Sequence, residues 1–372
     1  MGTPLGRIVD PESLFGRERE LARTWDLLIR TGSNILLSAP RRVGKSSFLK
    51  RLEYDAPARG FRPVFLSLPD CQSEDQFVQR LLNESWKQDG QKPWFSRFAD
   101  SAAGKVLQSV KAGEYAFDPH QPKNWDGMAR AVQEMLHASE EPKLMLIDEL
   151  PLFVAELLRL DPGRARARRF LGWMKTLREN TRHRWVLAGS IGLDTIARRG
   201  MLSGTIADLH VETDFGPFTR ELAEAFVRRE AAEAKLDLDP AELHRILELT
   251  ANYHLPYYLV LLLNELHRCR SEREAFSETG LLDKRVHFSH WDERLGDIFG
   301  VGTRGKVDAV LGRAAAGPEG IQRDEALTLA GPVEGREILE VLVNDGYLER
   351  RQDRLAFRCE LVRRYWERFI VP

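Results

Sequence analysis

Cysteine is scarce. The 372-residue chain carries three, Cys71, Cys269 and Cys359, too far apart to form a metal-ligand or redox pair, which excludes a disulfide-stapled scaffold and a zinc ribbon. Buried thiols in a reducing cytoplasm are the expectation. Long hydrophobic runs are missing too. The longest, residues 257–263, is broken by Asn264 and is far shorter than the roughly 20 residues that cross a bilayer, so no membrane contact is expected. The first ten residues lack the charged and apolar segments of a secretory signal, and a cytoplasmic location follows as an expectation. Neither sign of charge dominates: 55 Lys and Arg stand against 56 Asp and Glu, a net of −1. Any attraction to nucleic acid therefore has to come from a local patch. A 43% hydrophobic and 30% charged composition is that of an ordinary globular chain, and the length suffices for two or three domains.

What is present centres on residues 35–49, ILLSAPRRVGKSSFL. Ile35-Leu36-Leu37-Ser38 reads as a buried parallel strand, and Ser47 onward as a helix. Between them lies the loop Ala39-Pro40-Arg41-Arg42-Val43-Gly44-Lys45-Ser46. Strand, loop and helix together qualify a G-x-x-x-x-G-K-[ST] pattern as a phosphate-binding loop. Ala39 stands at the first glycine of that pattern and is small enough for the turn. Gly44 lets the backbone curl so that successive N–H groups point at phosphate oxygens. Lys45 supplies a point charge for the β- and γ-phosphates, the Ser46 hydroxyl can ligate Mg²⁺, and the helix N-terminus adds partial positive charge. The expected nucleotide-contacting set is Ala39, Pro40, Arg41, Arg42, Val43, Gly44, Lys45, Ser46 and Ser47.

The second anchor is KLMLIDE at 143–149, an apolar strand ending in two carboxylates about 100 residues beyond the loop. At a strand end, successive side chains point to opposite faces. Asp148 is expected to hold Mg²⁺ through its water shell, and Glu149 to polarise the attacking water. Trp185-Val186-Leu187-Ala188-Gly189-Ser190 is another apolar strand, with Ser190 at its tip as a polar sensor of the γ-phosphate. Further strands are expected at 63–68 and 210–214. Strands alternating with helices over 35–214 predict an α/β fold, a parallel sheet with helices on both faces and the nucleotide at its C-terminal edge.

Around this frame, Leu21, Trp25, Leu28 and Ile29 have the spacing of a one-faced helix. Residues 87–123 read as an insertion with one or two short helices. An apolar set with Pro151 at 150–160 and the run on through Phe170, Trp173 and Leu177 read as helical, and within 159–169 five arginines stand against Asp161 alone, a local charge of +4. A solvated face is the first reading, and a nucleic-acid contact or an arginine finger the alternatives; Arg198 and Arg199 are further finger candidates. From 219 the pattern turns helical, at 221–234, 240–250 and 256–270, with Pro256 placed where a helix's first turn tolerates it. Residues 271–305 read as an irregular charged connection. The close, 306–372, alternates short helices with two strands around a polar turn, the pattern of a winged helix. Its 347–368 segment holds seven arginines against four acids, which leaves DNA contact and protein contact both open. The predicted domains are a core at 1–218, a helical lid at 219–300 and a winged helix at 301–372.

Taken together, these motifs resemble the prokaryotic archaeal-type ATPases, members of the STAND branch of P-loop NTPases and relatives of AAA+ proteins. The matching residues are Phe15-Gly16-Arg17-Glu18, the 39–46 loop, Leu146-Ile147-Asp148-Glu149, Ala188-Gly189-Ser190, Phe215-Gly216-Pro217-Phe218-Thr219 and His254-Leu255-Pro256-Tyr257-Tyr258-Leu259. The resemblance implies ATP or ADP and Mg²⁺ as cofactors, and ATP hydrolysis coupled to a conformational switch in signalling or defence. It makes Glu149, Lys45 and Ser190 catalytic, Ser46 and Asp148 metal-binding, Phe15, Gly16 and Arg17 a cap over the adenine, and Pro256 part of the lid's nucleotide contact. His254 occupies a position where the family has glycine, and is expected to be a packed or solvent-facing side chain. Family members often carry long sensor repeats after the winged helix, so a protein partner or self-association is expected here. Two other functions stay open: a DNA-acting ATPase working through the winged helix, and a nucleotide-held scaffold that does not hydrolyse.

Overall fold

The computed structural model describes residues 5–89, 125–189, 193–212, 214–251, 253–271, 278–299 and 301–370, with scattered positions between 96 and 109. Most of the insertion expected at 87–123, and Ser190, lie outside the described residues. The chain forms two compact units. One comprises Asp10–Arg41 and Lys45–Phe215, the other Met1–Val9, Arg42–Gly44 and Gly216–Pro372.

The first unit runs α1 (Glu18–Asp26), β1 (Asn34–Ser38), α2 (Lys45–Asp55), β2 (Arg62–Ser67), α3 (Glu74–Asp89), α4 (Trp125–Ala138), β3 (Lys143–Asp148), α5 (Leu150–Leu160), α6 (Ala165–Arg178), β4 (Arg184–Gly189), α7 (Leu193–Arg199) and β5 (Leu209–Glu212). The strands form one parallel sheet in the order β2-β3-β4-β1-β5. Every residue of β3 is buried, as a parallel strand covered on both faces requires. Register carries the strand ends to a common level. Ser38 pairs with Gly189 and Ser67 with Asp148, so the segments leaving β1, β3 and β4 emerge at one edge of the sheet.

The edge strand β2 is protected against pairing with another chain. The Arg62 and Leu68 amides donate toward β3 (2.8 and 3.1 Å, to Pro142 and Asp148), so the odd-numbered residues between them face outward. Pro63 has no N–H to offer there, and Arg80 Nη1 covers the Ser67 carbonyl at 2.7 Å. Proline and a bonded arginine are two ways of blunting a sheet edge.

Two local readings need correction. Ile29 is 49% exposed rather than on the buried face with Trp25 and Leu28. Residues Leu27–Thr31 form a π-turn, and its wider winding rotates Ile29 away from the stripe that a continuous α-helix would keep. The helical run expected through 150–177 divides into α5 and α6, broken where Arg164 takes φ +64°.

The second unit contains α8 (Arg220–Glu233), α9 (Pro240–Leu249), α10 (Pro256–Ser271), α11 (Glu278–Asp283), α12 (Ser289–Ile298), α13 (Val301–Ala315), β6 (Ile321–Gln322), α14 (Arg323–Ala330), α15 (Gly335–Asn344), β7 (Leu348–Arg351), β8 (Arg354–Phe357) and α16 (Glu360–Phe369). An Asp239–Glu242 capping box starts α9. The antiparallel order β6-β8-β7 with α13, α14, α15 and α16 is a winged helix. The segment read as an irregular connection is instead helical at α11 and α12. Phe288, Trp291, Leu295 and Phe299 are all buried, and their spacing of three or four residues is helical even though the surrounding residues are charged. Trp291 anchors that turn: its indole N–H donates to Tyr258 Oη at 2.6 Å, and its carbonyl accepts from Tyr347 Oη at 2.7 Å. The buried Arg294–Asp345 ion pair, at 3.0 Å, joins the same helix to the turn after α15.

Candidate nucleotide-binding site

Residues 39–46 leave β1 and enter α2 as the sequence requires. Gly44 has φ +99° and nothing within 4 Å of the position a Cβ would take. Glycine is needed there for its backbone angle, not for space. Arg42, at φ +68°, adopts a left-handed conformation despite its side chain. Its guanidinium lies 4.1 Å above the Tyr257 ring, and Tyr257 Oη is 2.9 Å from His287 Nδ1. Pro256, the neighbour of Tyr257, opens α10.

Lys45 is only 6% exposed. Its Nζ donates to the Ala39 and Pro40 carbonyls at 2.7 and 2.8 Å, which curls the ammonium back over the loop that precedes it. Ser46, one residue on, points elsewhere. Its Oγ donates to Asp148 Oδ2 at 2.6 Å across 102 residues of sequence, joining the two motifs directly. Asp148 is 4% exposed and its Oδ1 accepts no hydrogen bond among the described residues. Burial pushes its pKa up, against the opposing pull of the Ser46 hydrogen bond. A buried carboxylate oxygen left over beside a serine hydroxyl is a hard-oxygen pair that suits Mg²⁺. Among the described residues no three His, Cys, Asp or Glu side chains gather into an all-protein metal cage.

Glu149 departs from the expected strand geometry. It lies just past β3 at φ 60°, ψ 32°, the residue preceding α5. A left-handed non-glycine residue costs about 1–3 kcal/mol and persists only where its surroundings impose it. Beside it, the first turn of α5 packs closely on the end of β4. A Cβ on Gly189 would sit 2.3 Å from both Cδ and Cγ of Pro151, so the first turn of α5 fits against β4 only because residue 189 has no side chain. The Gly189 carbonyl accepts from the Ala39 amide at 3.4 Å, touching the loop as well. Neither Gly189 nor Pro151 was assigned a role from the sequence, although a glycine ending an apolar strand and a proline two residues after Asp-Glu were both visible there.

Phe15, Gly16 and Arg17 precede α1. The Gly16 amide donates to Glu18 Oε1 at 3.3 Å. Arg17 is 4% exposed, pairs with Glu20 at 2.7 Å and lies 4.4 Å over the Phe215 ring, whose other neighbour is Phe48 in α2, 4.8 Å away. Burial lowers the Arg17 pKa. His254 is buried, with Nδ1 2.8 Å from Thr250 Oγ1 and its carbonyl accepting from the Phe218 amide at 3.0 Å. It is a packed side chain, and burial lowers its pKa.

The two arginine-rich stretches are largely engaged within the chain. Arg166, expected on a solvated face, grips the fully buried Glu74 with Nε at 3.1 Å and with Nη2. Arg159 pairs with Glu156 on the surface, Arg169 lies 5.6 Å over Trp125, and Arg168 is exposed. In the winged helix, Arg351, Arg354 and Arg358 donate to the carbonyls of Pro318, Glu319, Gly320, Val343 and Leu348. Arg363 and Arg364 bond Glu360, and Arg368 pairs with Asp283. Arg350 is exposed. Six of the seven arginines of this segment thus have partners within the second unit.

No protein-family model and no curated protein matches the chain. Solved structures do. The Walker-type ATPase PABY2304 of Pyrococcus abyssi is similar over 95% of this chain and 96% of its own, with a TM-score of 0.65 and 19% identity. The ORC2 protein of Aeropyrum pernix, solved as ADPNP–ADP complexes, is similar over 96% of this chain and 94% of its own, with a TM-score of 0.55 and 14% identity. At these identities the likeness is one of fold: the parallel sheet and phosphate-loop topology of P-loop ATPases, followed by lid helices and a winged helix. No helix among the described residues is long and apolar enough to cross a membrane.

Proposed function

We propose that the chain is a Mg²⁺-dependent ATPase acting as a conformational switch. The observation that carries this reading is the Ser46–Asp148 hydrogen bond, 2.6 Å long, which brings phosphate loop and acidic strand end together with one buried Asp148 oxygen to spare. The 39–46 loop, through its N–H groups at 41–46, and the α2 N-terminus receive the phosphates. Lys45, already poised over the loop, exchanges its carbonyl contacts for phosphate oxygens. Ser46 and Asp148 hold Mg²⁺, which when bound neutralises charge on the phosphates. Glu149 orients the attacking water and accepts its proton, and Ser190 reports the γ-phosphate. Arg17 and its neighbours Phe15 and Gly16 cap the base, and Pro256 contributes from the lid. Bound nucleotide in the similar A. pernix protein supports ATP or ADP as the ligand.

The three-part division into core, lid and winged helix and a cytoplasmic setting belong to the same proposal from the sequence pattern, and a protein partner or self-association and a role in signalling or defence belong to it by resemblance to STAND ATPases. ATP turnover by the purified chain, wild type beside Glu149→Gln and with or without duplex DNA, tests it. Turnover lost in the variant supports the ATPase. Stimulation by DNA moves the function to a DNA-acting ATPase, and nucleotide that co-purifies and never turns over moves it to a scaffold.

A further inference from the structure

We infer that Gly189 and Pro151 form a positioning clamp for Glu149, and that Gly189 is a positioning residue for hydrolysis. The inference rests on the reading of Glu149 as the base that orients water.

The geometry is specific. Glu149 takes its left-handed conformation between a strand that cannot move and a helix that begins with Leu150 and Pro151. β3 is fixed by parallel neighbours on both sides, with Ile147 in register with both Leu66 and Leu187. Where α5 starts is set by how closely its first turn approaches β4. Pro151 is rigid, and its ring lies where the Gly189 side chain would be, with Cδ and Cγ at 2.3 Å and Cβ at 3.3 Å from a Cβ placed there. A methyl group at 189 cannot be met by rotating a flexible side chain. It pushes the proline, and with it the turn that carries Glu149 two residues before. The same glycine touches the first residue of the phosphate loop through its carbonyl, a backbone bond that a substitution at 189 leaves chemically intact. The clamp thus sets the base while the phosphate cradle keeps its own determinants, Lys45 and Ser46.

This separation is what an experiment reads. Gly189→Ala is expected to lower kcat about a hundredfold, the cost of misplacing a catalytic group by about 1 Å. ATP and ADP dissociation constants are expected to stay within about twofold of wild type. In Gly189→Ala/Pro151→Ala the two atoms at 2.3 Å are gone, and of the three nearest atoms the one at 3.3 Å remains. That double variant is expected to recover most of the lost turnover. Thermal melting of all three proteins and nucleotide titration by calorimetry accompany the kinetics.

Unchanged turnover in Gly189→Ala overturns the inference. So does a rise in dissociation constant that matches the loss of kcat, and so does a folded double variant as slow as the single one. If Gly189→Ala does not fold, a folded and active double variant still supports the clamp, and an unfolded one overturns it. A wild-type chain that binds nucleotide without turning it over rejects the reading of Glu149 itself, an outcome distinct from an active wild type with an equally active Gly189→Ala.

Discussion

Removing Arg166 separates a structural role for the arginine-rich stretch from an external one. Its guanidinium is 11% exposed and holds a Glu74 carboxylate with no exposure at all, in two contacts of the fork geometry that suits arginine. Asp75 is next in sequence, 2% exposed, with its pKa pushed up to about 6 by burial and then by the Glu74 charge. Arg166→Ala therefore leaves a bare carboxylate inside the first unit beside a second acid. Breaking a buried pair from one side costs about 3–5 kcal/mol. At about 2–4 °C per kcal/mol for a unit of this size, the melting temperature falls by about 6–20 °C. Replacing both partners with apolar residues, Glu74→Leu/Arg166→Met, removes the bare charge and is expected to recover most of that loss. Circular dichroism melts and urea unfolding at pH 7 measure all three. A loss below about 1 kcal/mol in Arg166→Ala, the value of a solvated surface pair, refutes the reasoning and returns the stretch to the reading of a basic face open to an outside anion.

Lys45→Ala is expected to abolish measurable ATP and ADP binding in calorimetry, because the ammonium that lies over the Ala39 and Pro40 carbonyls is the charge that meets the phosphates. Asp75 gives a pH signature. With its pKa raised from 3.8 to about 6, the folded state binds its proton more tightly than the unfolded one. The resulting stability is fully present below about pH 4 and is lost as pH rises through about 6, by about 3 kcal/mol at most. Asp75→Asn removes that slope, so urea midpoints of variant and wild type diverge between pH 4 and 7 in favour of the variant; parallel curves contradict the assignment.

The sheet was legible because its strands are near-continuous apolar runs bounded by loop chemistry. β1, β2, β3 and β4 each fall within one residue of the runs read at 35–38, 63–68, 143–149 and 185–190. The lid helices α8, α9 and α10 were equally plain, from amphipathic spacing and well-placed prolines. The α12 turn was readable in principle, since Phe288, Trp291, Leu295 and Phe299 carry the period, but charged residues around them masked it. Ile29 was misplaced because nothing local announces a π-turn.

At the site, residue types gave the motifs, and tertiary contacts gave their meaning. That Asp148 meets Ser46 follows from the motif pair. That Glu149 is held in a left-handed turn depends on how closely Pro151 approaches Gly189, a distance that spacing along the chain does not encode. The fate of the arginines is of the same kind. A local charge of +4 says nothing of Glu74, which lies 92 residues before Arg166, and carbonyl acceptors for the winged-helix arginines carry no sequence signature at all.

The central claim is that two motifs joined at Ser46 and Asp148 bind ATP for hydrolysis with Glu149 as the base. Single-turnover hydrolysis of ATP with Mg²⁺, wild type beside Glu149→Gln, each at saturating enzyme after calorimetric titration, tests it most directly. Equal nucleotide affinity with hydrolysis at least a hundredfold slower in the variant is the predicted result, in the range general-base removal produces. Equal hydrolysis rates in the two proteins would contradict it.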